Sequence, residues 1–274
     1  MEENVKALLE QFRAIAGDPK KAVADHLAET GKGAIGMMPI YAPEELVHAT
    51  GFLPVGLWGG SRPVTKARTY LPPFACSVMQ QVMELECEGT YDDLAAVVFS
   101  VPCDTLKCMS QKWKGTSPVL VFTHPQNRGL EAANRFLEQE YAILKEKLEN
   151  ITGVKITNAA LERSIQIYNE NRAAMREFSA LAAQYPQVIS AVDRHAVFKA
   201  RLFMEKSRHT ALVRELMEAV RAAEPQPWTG KKVVVTGILL EPNGLLEIFD
   251  RLGLAIVADD LAQESRQIRV DVPD

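Results

Sequence analysis

The first half of the chain alternates between two spacings of apolar residues, one typical of helices and one typical of buried strands. Val5, Leu9 and Phe12 recur at helical spacing, so a helix opens the chain. A second helix is predicted from Asp18-Pro19, a capping residue followed by proline, and a third from residue 43. Short, mainly apolar runs predict strands at residues 34–40, 52–58, 95–101 and 119–122. Such strands separated by helices are typical of βαβ units and a parallel sheet.

From residue 129 to residue 228 the spacing is mostly helical. Leu130, Leu137 and Leu144 recur every seven residues. Fewer than four clean heptads are present, so packing within the domain is favoured over a coiled coil. After a linker that contains two prolines, the pattern returns to strand, helix and strand, at residues 233–237, 245–252 and 254–258.

These patterns predict an α/β protein built in three parts. Residues 1–128 form a first domain with a doubly wound parallel sheet of the Rossmann or flavodoxin type. Residues 129–228 form a helical insertion, and residues 229–274 begin a second α/β domain. The last part has only about 45 residues, too few to bury a core alone, so we expect an incomplete domain.

Composition excludes several classes of protein. The chain has 274 residues, of which 47% are hydrophobic and 24% charged, as in ordinary globular proteins. Its net charge is −4, which gives no basic face for nucleic acid. No apolar run approaches the roughly 18 residues of a membrane span, and the acidic N-terminus is not a signal peptide. We expect a cytoplasmic protein without nucleic-acid or membrane partners.

Two of the four cysteines occupy positions suited to chemistry. Cys76 lies near the start of a predicted helix, and Cys103 lies where a strand passes into a helix. Helix N-termini favour thiolates, and the carboxyl edge of a parallel sheet is where ligands bind. The residues alone leave two interpretations open, a metal or redox centre and inert buried thiols. For Cys87 and Cys108 the inert interpretation is favoured.

Other motifs of catalysis are missing. The five histidines show no metal-ligand spacing, and His48 is interpreted as a partly buried helix residue. No glycine-rich phosphate loop follows a predicted strand, and no Gly-x-Ser-x-Gly sequence is present. The residues therefore assign no catalytic group.

Seven motifs in order resemble the 2-hydroxyacyl-CoA dehydratase and benzoyl-CoA reductase family. They run through essentially the whole chain, at residues 38–46, 51–60, 74–77, 103–106, 124–128, 231–238 and 258–267. Within the family, the resemblance is strongest to the smaller subunit of the type that acts on (R)-2-hydroxyglutaryl-CoA.

The resemblance implies a two-subunit, oxygen-sensitive enzyme of amino-acid fermentation in anaerobes. It removes water from a 2-hydroxyacyl-CoA, here 2-hydroxyglutaryl-CoA, and gives the enoyl-CoA through a ketyl radical. An ATP-dependent iron–sulfur activator protein supplies the electron. Each subunit binds a 4Fe–4S cluster through three cysteines, and Cys76 and Cys103 match the first two. The third position lies beyond Asp274, so the cluster site of this chain is expected to be incomplete.

The resemblance also leaves alternatives. Tyr41 and Glu45, in the first motif, are its candidate substrate-binding residues. No serine lies in the stretch from Gly36 to Pro39, which favours the electron-relaying subunit over the catalytic one. The alternatives are a benzoyl-CoA reductase-type subunit and a truncated, inactive subunit that binds a partner without an intact cluster.

Overall fold

The computed structural model describes residues 2–38, 41–127 and 129–273 and confirms the α/β class. The strands are β1 (Ala34–Met37), β2 (Leu53–Gly56), β3 (Leu94–Ser100), β4 (Val119–Phe122), β5 (Lys231–Gly237) and β6 (Leu254–Leu261). The helices are α1 (Glu2–Gly17), α2 (Pro19–Thr30), α3 (Glu44–His48), α4 (Ser77–Cys87), α5 (Asp104–Lys112), α6 (Glu131–Thr152), α7 (Asn158–Gln184), α8 (Ala191–Ala200), α9 (Lys206–Arg221) and α10 (Asn243–Arg251). No helix among these residues is both long and apolar enough to cross a membrane.

The chain divides into two compact units. Residues Lys20–Ser164 form the sheet unit, and the helical unit combines the chain up to Pro19 with the chain from Ile165 onward. The division falls inside α7, whereas the predicted boundaries lie at residues 128 and 228. The three-part domain assignment therefore stays a prediction.

The sheet unit is built on four parallel strands in the order β2-β1-β3-β4. Ala96 and Val98 point to the face covered by α3 and α6, where they pack in one cluster with Leu144 and Leu148. Of the leucines that recur every seven residues, Leu144 is buried and Leu137 partly buried in this cluster, whereas Leu130 is exposed. Every residue of β1 is buried, and the strand has a neighbour on each side.

The first two strands are shorter than predicted. β1 ends at Met37, and residues 39 and 40 of the predicted run lie outside the described part of the chain. β2 contains only the four residues that pair with β1, because β2 is an edge strand and has no other partner in the sheet. Edge position also explains why Pro54 is tolerated inside a strand.

The helical unit has a large apolar core and a small sheet. Phe12 of α1 packs with Phe178, Phe198 and Leu216, so residues from both ends of the chain share one cluster. Strands β5 and β6 pair in parallel and pack against α8 and α10 through a second cluster that includes Leu246. This two-stranded sheet confirms the strand–helix–strand pattern read from residues 233–258.

Candidate site at the carboxyl edge of the four-stranded sheet

The order of the strands locates a crevice. The chain leaves β1 through α3 toward β2 on one side, and leaves β3 through α5 toward β4 on the other. The connections therefore diverge between the carboxyl ends of β1 and β3. In open α/β sheets, ligands bind at such a switch point. The segments that follow β1 and β3 are therefore expected to line a ligand site.

Both candidate cysteines lie at the starts of helices. Cys76 is the N-cap residue of α4 and Cys103 is the N-cap residue of α5, and both have extended backbones and exposed side chains. Neither side chain makes a capping hydrogen bond, so both thiols stay available. The helices pack against each other. Each thiol therefore lies at a helix N-terminus, where the backbone amides carry a partial positive charge.

The other two cysteines are placed differently. Cys87 ends α4 at its opposite end and is half-buried. Burial raises the pKa of the Cys87 thiol, and the charges of Glu84 and Glu86 raise it further. Cys108 is exposed but lies inside α5. Of the four thiols, Cys76, Cys103 and Cys108 are thus exposed, which rules out the interpretation of these three as buried fillers.

Thiolates are the donors that iron–sulfur clusters require, and Cys76 and Cys103 supply two of them. Within residues 2–38, 41–127 and 129–273, no three His, Cys, Asp or Glu side chains are grouped so as to hold a metal ion. The donor chemistry at the two cysteines therefore fits a cluster, while the described residues do not complete its ligand set.

Tyr41, a predicted substrate-binding residue, has a strained backbone at this edge. Its φ is 66°, in the left-handed region that aromatic residues rarely adopt. Its ring stacks on His124, with 4.3 Å between ring centroids. The hydroxyl of Tyr141 donates to the carbonyl of Tyr41 over 3.3 Å. Because Tyr41 follows β1 and His124 follows β4, the stacked pair spans the end of the intervening β3.

Glu45, the second predicted substrate-binding residue, lies in the first turn of α3. Its carbonyl accepts a hydrogen bond from Ser164 Oγ, which in turn accepts one from Nδ1 of His48; both measure 2.9 Å. Burial raises the pKa of Tyr141 to about 12, and the charge of Glu45 contributes. The side chains of Glu45 and Tyr141 are therefore electrostatically coupled beside Tyr41.

Glu84 stabilises the loop that leads to Cys76. Its carboxylate accepts hydrogen bonds from the backbone amides of Thr65, Lys66 and Ala67 and from the Thr65 hydroxyl, at 2.8 to 3.1 Å. Burial alone would raise the pKa of Glu84, but these four donors lower it to about 2. Sequence reasoning missed this residue. Its one signal is an acid within the apolar face of α4.

Comparison with known proteins decides the family. The family described as 2-hydroxyglutaryl-CoA dehydratase, D-component, matches residues 39–274. The chain belongs to this family. The resemblance read from the seven motifs is thus confirmed, and with it the assignment to the dehydratases, which are hydro-lyases.

Three relatives are dehydratase beta subunits. The chain is 71% identical over 271 residues to lactoyl-CoA dehydratase subunit beta of Anaerotignum propionicum. The matched region covers 98% of the chain and 72% of the relative. It is 44% identical to (R)-phenyllactyl-CoA dehydratase beta subunit of Clostridium sporogenes, over 99% of the chain and 73% of the relative. It is 40% identical to (R)-2-hydroxyglutaryl-CoA dehydratase, subunit beta, of Acidaminococcus fermentans, over 98% of the chain and 72% of the relative. The expected preference for 2-hydroxyglutaryl-CoA is not confirmed.

Proposed function

We propose that this chain is the beta subunit of a 2-hydroxyacyl-CoA dehydratase that works with an alpha subunit and an ATP-dependent iron–sulfur activator protein. The reaction removes water from the acyl-CoA and leaves an enoyl-CoA. The observation that carries the proposal is the pair of exposed thiols at the N-caps of α4 and α5, beside the switch-point crevice. Thiolates are the donors that would hold the redox group of such a dehydratase, and this pair would supply two of them.

We propose lactoyl-CoA as the substrate in place of 2-hydroxyglutaryl-CoA. The support is the identity of 71% with a lactoyl-CoA dehydratase subunit, against 40% with a 2-hydroxyglutaryl-CoA dehydratase subunit. Loss of water from a lactoyl group gives an acryloyl group. The acyl chain is then short and uncharged, whereas a 2-hydroxyglutaryl group carries a second carboxylate that its enzyme must accommodate.

Cys76 and Cys103 are the residues that would hold a 4Fe–4S cluster, with further ligation from outside the described residues. Such a cluster supplies single electrons. The chain contributes two exposed thiols at the N-caps of α4 and α5. It also contributes Glu84, whose hydrogen bonds to residues 65–67 anchor the loop that carries Cys76.

Tyr41 is proposed to contact the acyl-CoA at the mouth of the crevice, with Glu45 beside it. A residue in a strained conformation persists only where its surroundings hold it, and such residues concentrate at functional sites. Tyr41 is held twice, by the ring of His124 and by the hydroxyl of Tyr141. These two residues are therefore its positioning residues.

The cluster assignment is tested by iron and sulfide analysis of the anaerobically purified complex with the alpha subunit. Cys76→Ala and Cys103→Ala are each expected to lose the cluster of this subunit, about four irons per complex. Cys108→Ala is the matched control, because Cys108 is equally exposed but lies within α5; it is expected to keep full iron. Retention of iron by both test variants would overturn the ligand assignment.

The substrate assignment is tested by the kcat/KM of the activated complex for three thioesters. We expect lactoyl-CoA to exceed phenyllactyl-CoA and 2-hydroxyglutaryl-CoA. In the same assay His124→Ala, which removes the stacking ring, is expected to raise the KM several-fold, whereas His124→Phe keeps a ring and stays near wild type. Equal KM values for His124→Ala and wild type would contradict the proposal that Tyr41 contacts the substrate.

A further inference from the structure

Two buried histidines of the helical unit have opposite surroundings. His195 of α8 and His209 of α9 are both almost fully buried, at 2% and 0% exposure. Nδ1 of His195 lies 2.9 Å from a carboxylate oxygen of Glu264, and Nε2 lies 3.3 Å from a carboxylate oxygen of Glu241. His209 instead receives a hydrogen bond from the amide of Asn171 at Nδ1, and its Nε2 lies 3.0 Å from the carbonyl of Val197.

The partners determine which ring nitrogens carry protons. An ionised carboxylate only accepts hydrogen bonds, so two carboxylates can both be satisfied only by a ring with two N–H groups. His195 therefore fits as an imidazolium. The Asn171 amide only donates from its nitrogen, so Nδ1 of His209 must be a lone pair. His209 therefore fits as a neutral ring with its proton on Nε2.

The charges around His195 require the same assignment. Besides Glu241 and Glu264, Asp259 of β6 belongs to this buried set, and the set contains two other cations, Arg194 and Lys199. Arg194 pairs with both Asp259 and Glu264, and Lys199 lies 2.7 Å from Glu241. With a charged His195, three cations face three carboxylates, and the set is neutral. With a neutral ring, one buried negative charge is uncompensated, which is costly.

The neighbouring charged groups are paired elsewhere. Asp193 of α8 lies 2.6 Å from Arg13 of α1. Asp250 of α10 accepts from the backbone amide of Ala191 at the start of α8. On the side of β6, Asp260 pairs with the exposed Arg266 and Arg269. These groups leave the balance around His195 unchanged.

We propose that His195 is a lock, protonated at neutral pH, that holds together the segments following β5 and β6. Glu241 follows β5 and Glu264 follows β6, so the single ring joins both segments to α8. Loss of its proton at alkaline pH breaks one of the two hydrogen bonds, leaves excess negative charge and releases the segments. The lock is independent of the proposed dehydratase activity.

The direction of the pKa shifts agrees with this geometry. Burial alone would lower the pKa of His195, but the hydrogen bonds that its ring donates to Glu241 and Glu264 raise it above the usual value. Burial lowers the pKa of His209 to about 3, and the charges of Arg201 and Lys206 act in the same direction. The His195 contribution to stability is therefore complete below about pH 6.5 and is lost as the pH rises through its raised pKa.

The test is nitrogen NMR of the full chain with labelled histidine rings, from pH 6 to pH 10. We expect one ring to keep two N–H groups at pH 8 and to vanish in His195→Gln, and a second ring to stay neutral throughout and to vanish in His209→Gln. If His195→Gln does not fold, its signal is assigned by elimination with Gln variants of His26, His48 and His124. A His195 ring with a single N–H at pH 7 would overturn the proposal.

Hydrogen exchange tests the lock itself. Protection of residues 238–242 and 262–266 is expected to fall at least tenfold in His195→Gln at pH 7, and in wild type above the pKa of His195. His209→Gln, the matched control, removes an equally buried ring without touching either segment and should leave their protection intact. If the imidazolium is confirmed but protection is unchanged in His195→Gln, the charge of His195 does not hold the two segments together, and the proposed lock is wrong.

Discussion

The two parallel sheets of this protein use their carboxyl edges in opposite ways. The open edge of the four-stranded sheet presents Tyr41, Cys76, Cys103 and His124, and both thiols there are exposed. The sealed edge of the two-stranded sheet consists of Glu241, Asp259 and Glu264 with Arg194, His195 and Lys199, and these charges are buried against one another. An edge that is open is available for ligands. An edge that is sealed stabilises the unit around it.

Removing a cation is expected to be most damaging at the sealed edge. Arg194→Met leaves Asp259 and Glu264 short of a partner in a buried site, so we expect a loss of about 3–5 kcal/mol. Hydrogen exchange of the α8 amides measures the loss within this unit. Arg221→Met breaks the exposed pair with Glu177 and should cost less than about 1 kcal/mol. Equal losses of stability in Arg194→Met and Arg221→Met would contradict the distinction between buried and exposed charge pairs.

Within the sheet unit the largest stability effect is expected from Glu84. Glu84→Gln deprives three backbone amides of a charged acceptor, and we expect a loss of about 1–3 kcal/mol in urea unfolding. Since the folded pKa of about 2 lies below the usual 4.5, this stabilisation is complete above about pH 4.5 and declines toward pH 2. The free energy of unfolding of Glu84→Gln should not show this decline between about pH 4.5 and pH 2.

The control for Glu84 is Glu131→Gln. Glu131 makes an exposed pair with Arg135, four residues along α6, so its loss should be at most about 0.5 kcal/mol. A Glu84 variant as stable as this control would show that the loop before Cys76 is held by other contacts.

A smaller effect is expected from the tyrosine that holds Tyr41. Tyr141→Phe removes one partly exposed hydrogen bond, so we expect about 0.5–1 kcal/mol in urea unfolding at neutral pH. The pKa of Tyr141 is raised to about 12, so its contribution persists below about pH 10 and is lost toward pH 12. The stabilities of wild type and variant should converge over that range; a constant difference would argue against the coupling.

The smallest perturbation is chemical labelling, which leaves the fold intact. Iodoacetamide is expected to modify Cys76, Cys103 and Cys108 at least tenfold faster than Cys87, whose thiol is half-buried and has a raised pKa. Peptide mass spectrometry measures the four rates, and labelling in urea, where the rates should become equal, is the control. A Cys87 as fast as Cys76 in the folded chain would contradict the placement.

The local elements of both sheets were predictable, whereas their long-range contacts were not. The runs that became β3 and β4 were predicted to within a residue, because their residues are almost continuously apolar. The positions of Cys76 near the start of a helix and of Cys103 between a strand and a helix were predicted from the neighbouring prolines and strand. The partners of Tyr41 come from residues 124 and 141, and those of His195 from residues 241 and 264. Such pairs depend on three-dimensional packing that no local spacing encodes.

The helical unit joins the two ends of the chain, which has a consequence for synthesis. The residues of α1 emerge from the ribosome before those of the sheet unit, but Phe12 packs with Phe178 and Phe198, made more than 150 residues later. The sheet unit, by contrast, is one continuous stretch and has all its partners once Ser164 is made. Domains generally fold as units during synthesis, and contacts distant in sequence close slowly. We therefore expect the nascent chain to carry a folded sheet unit while the apolar face of α1 is still exposed. During that time chaperones can bind this face.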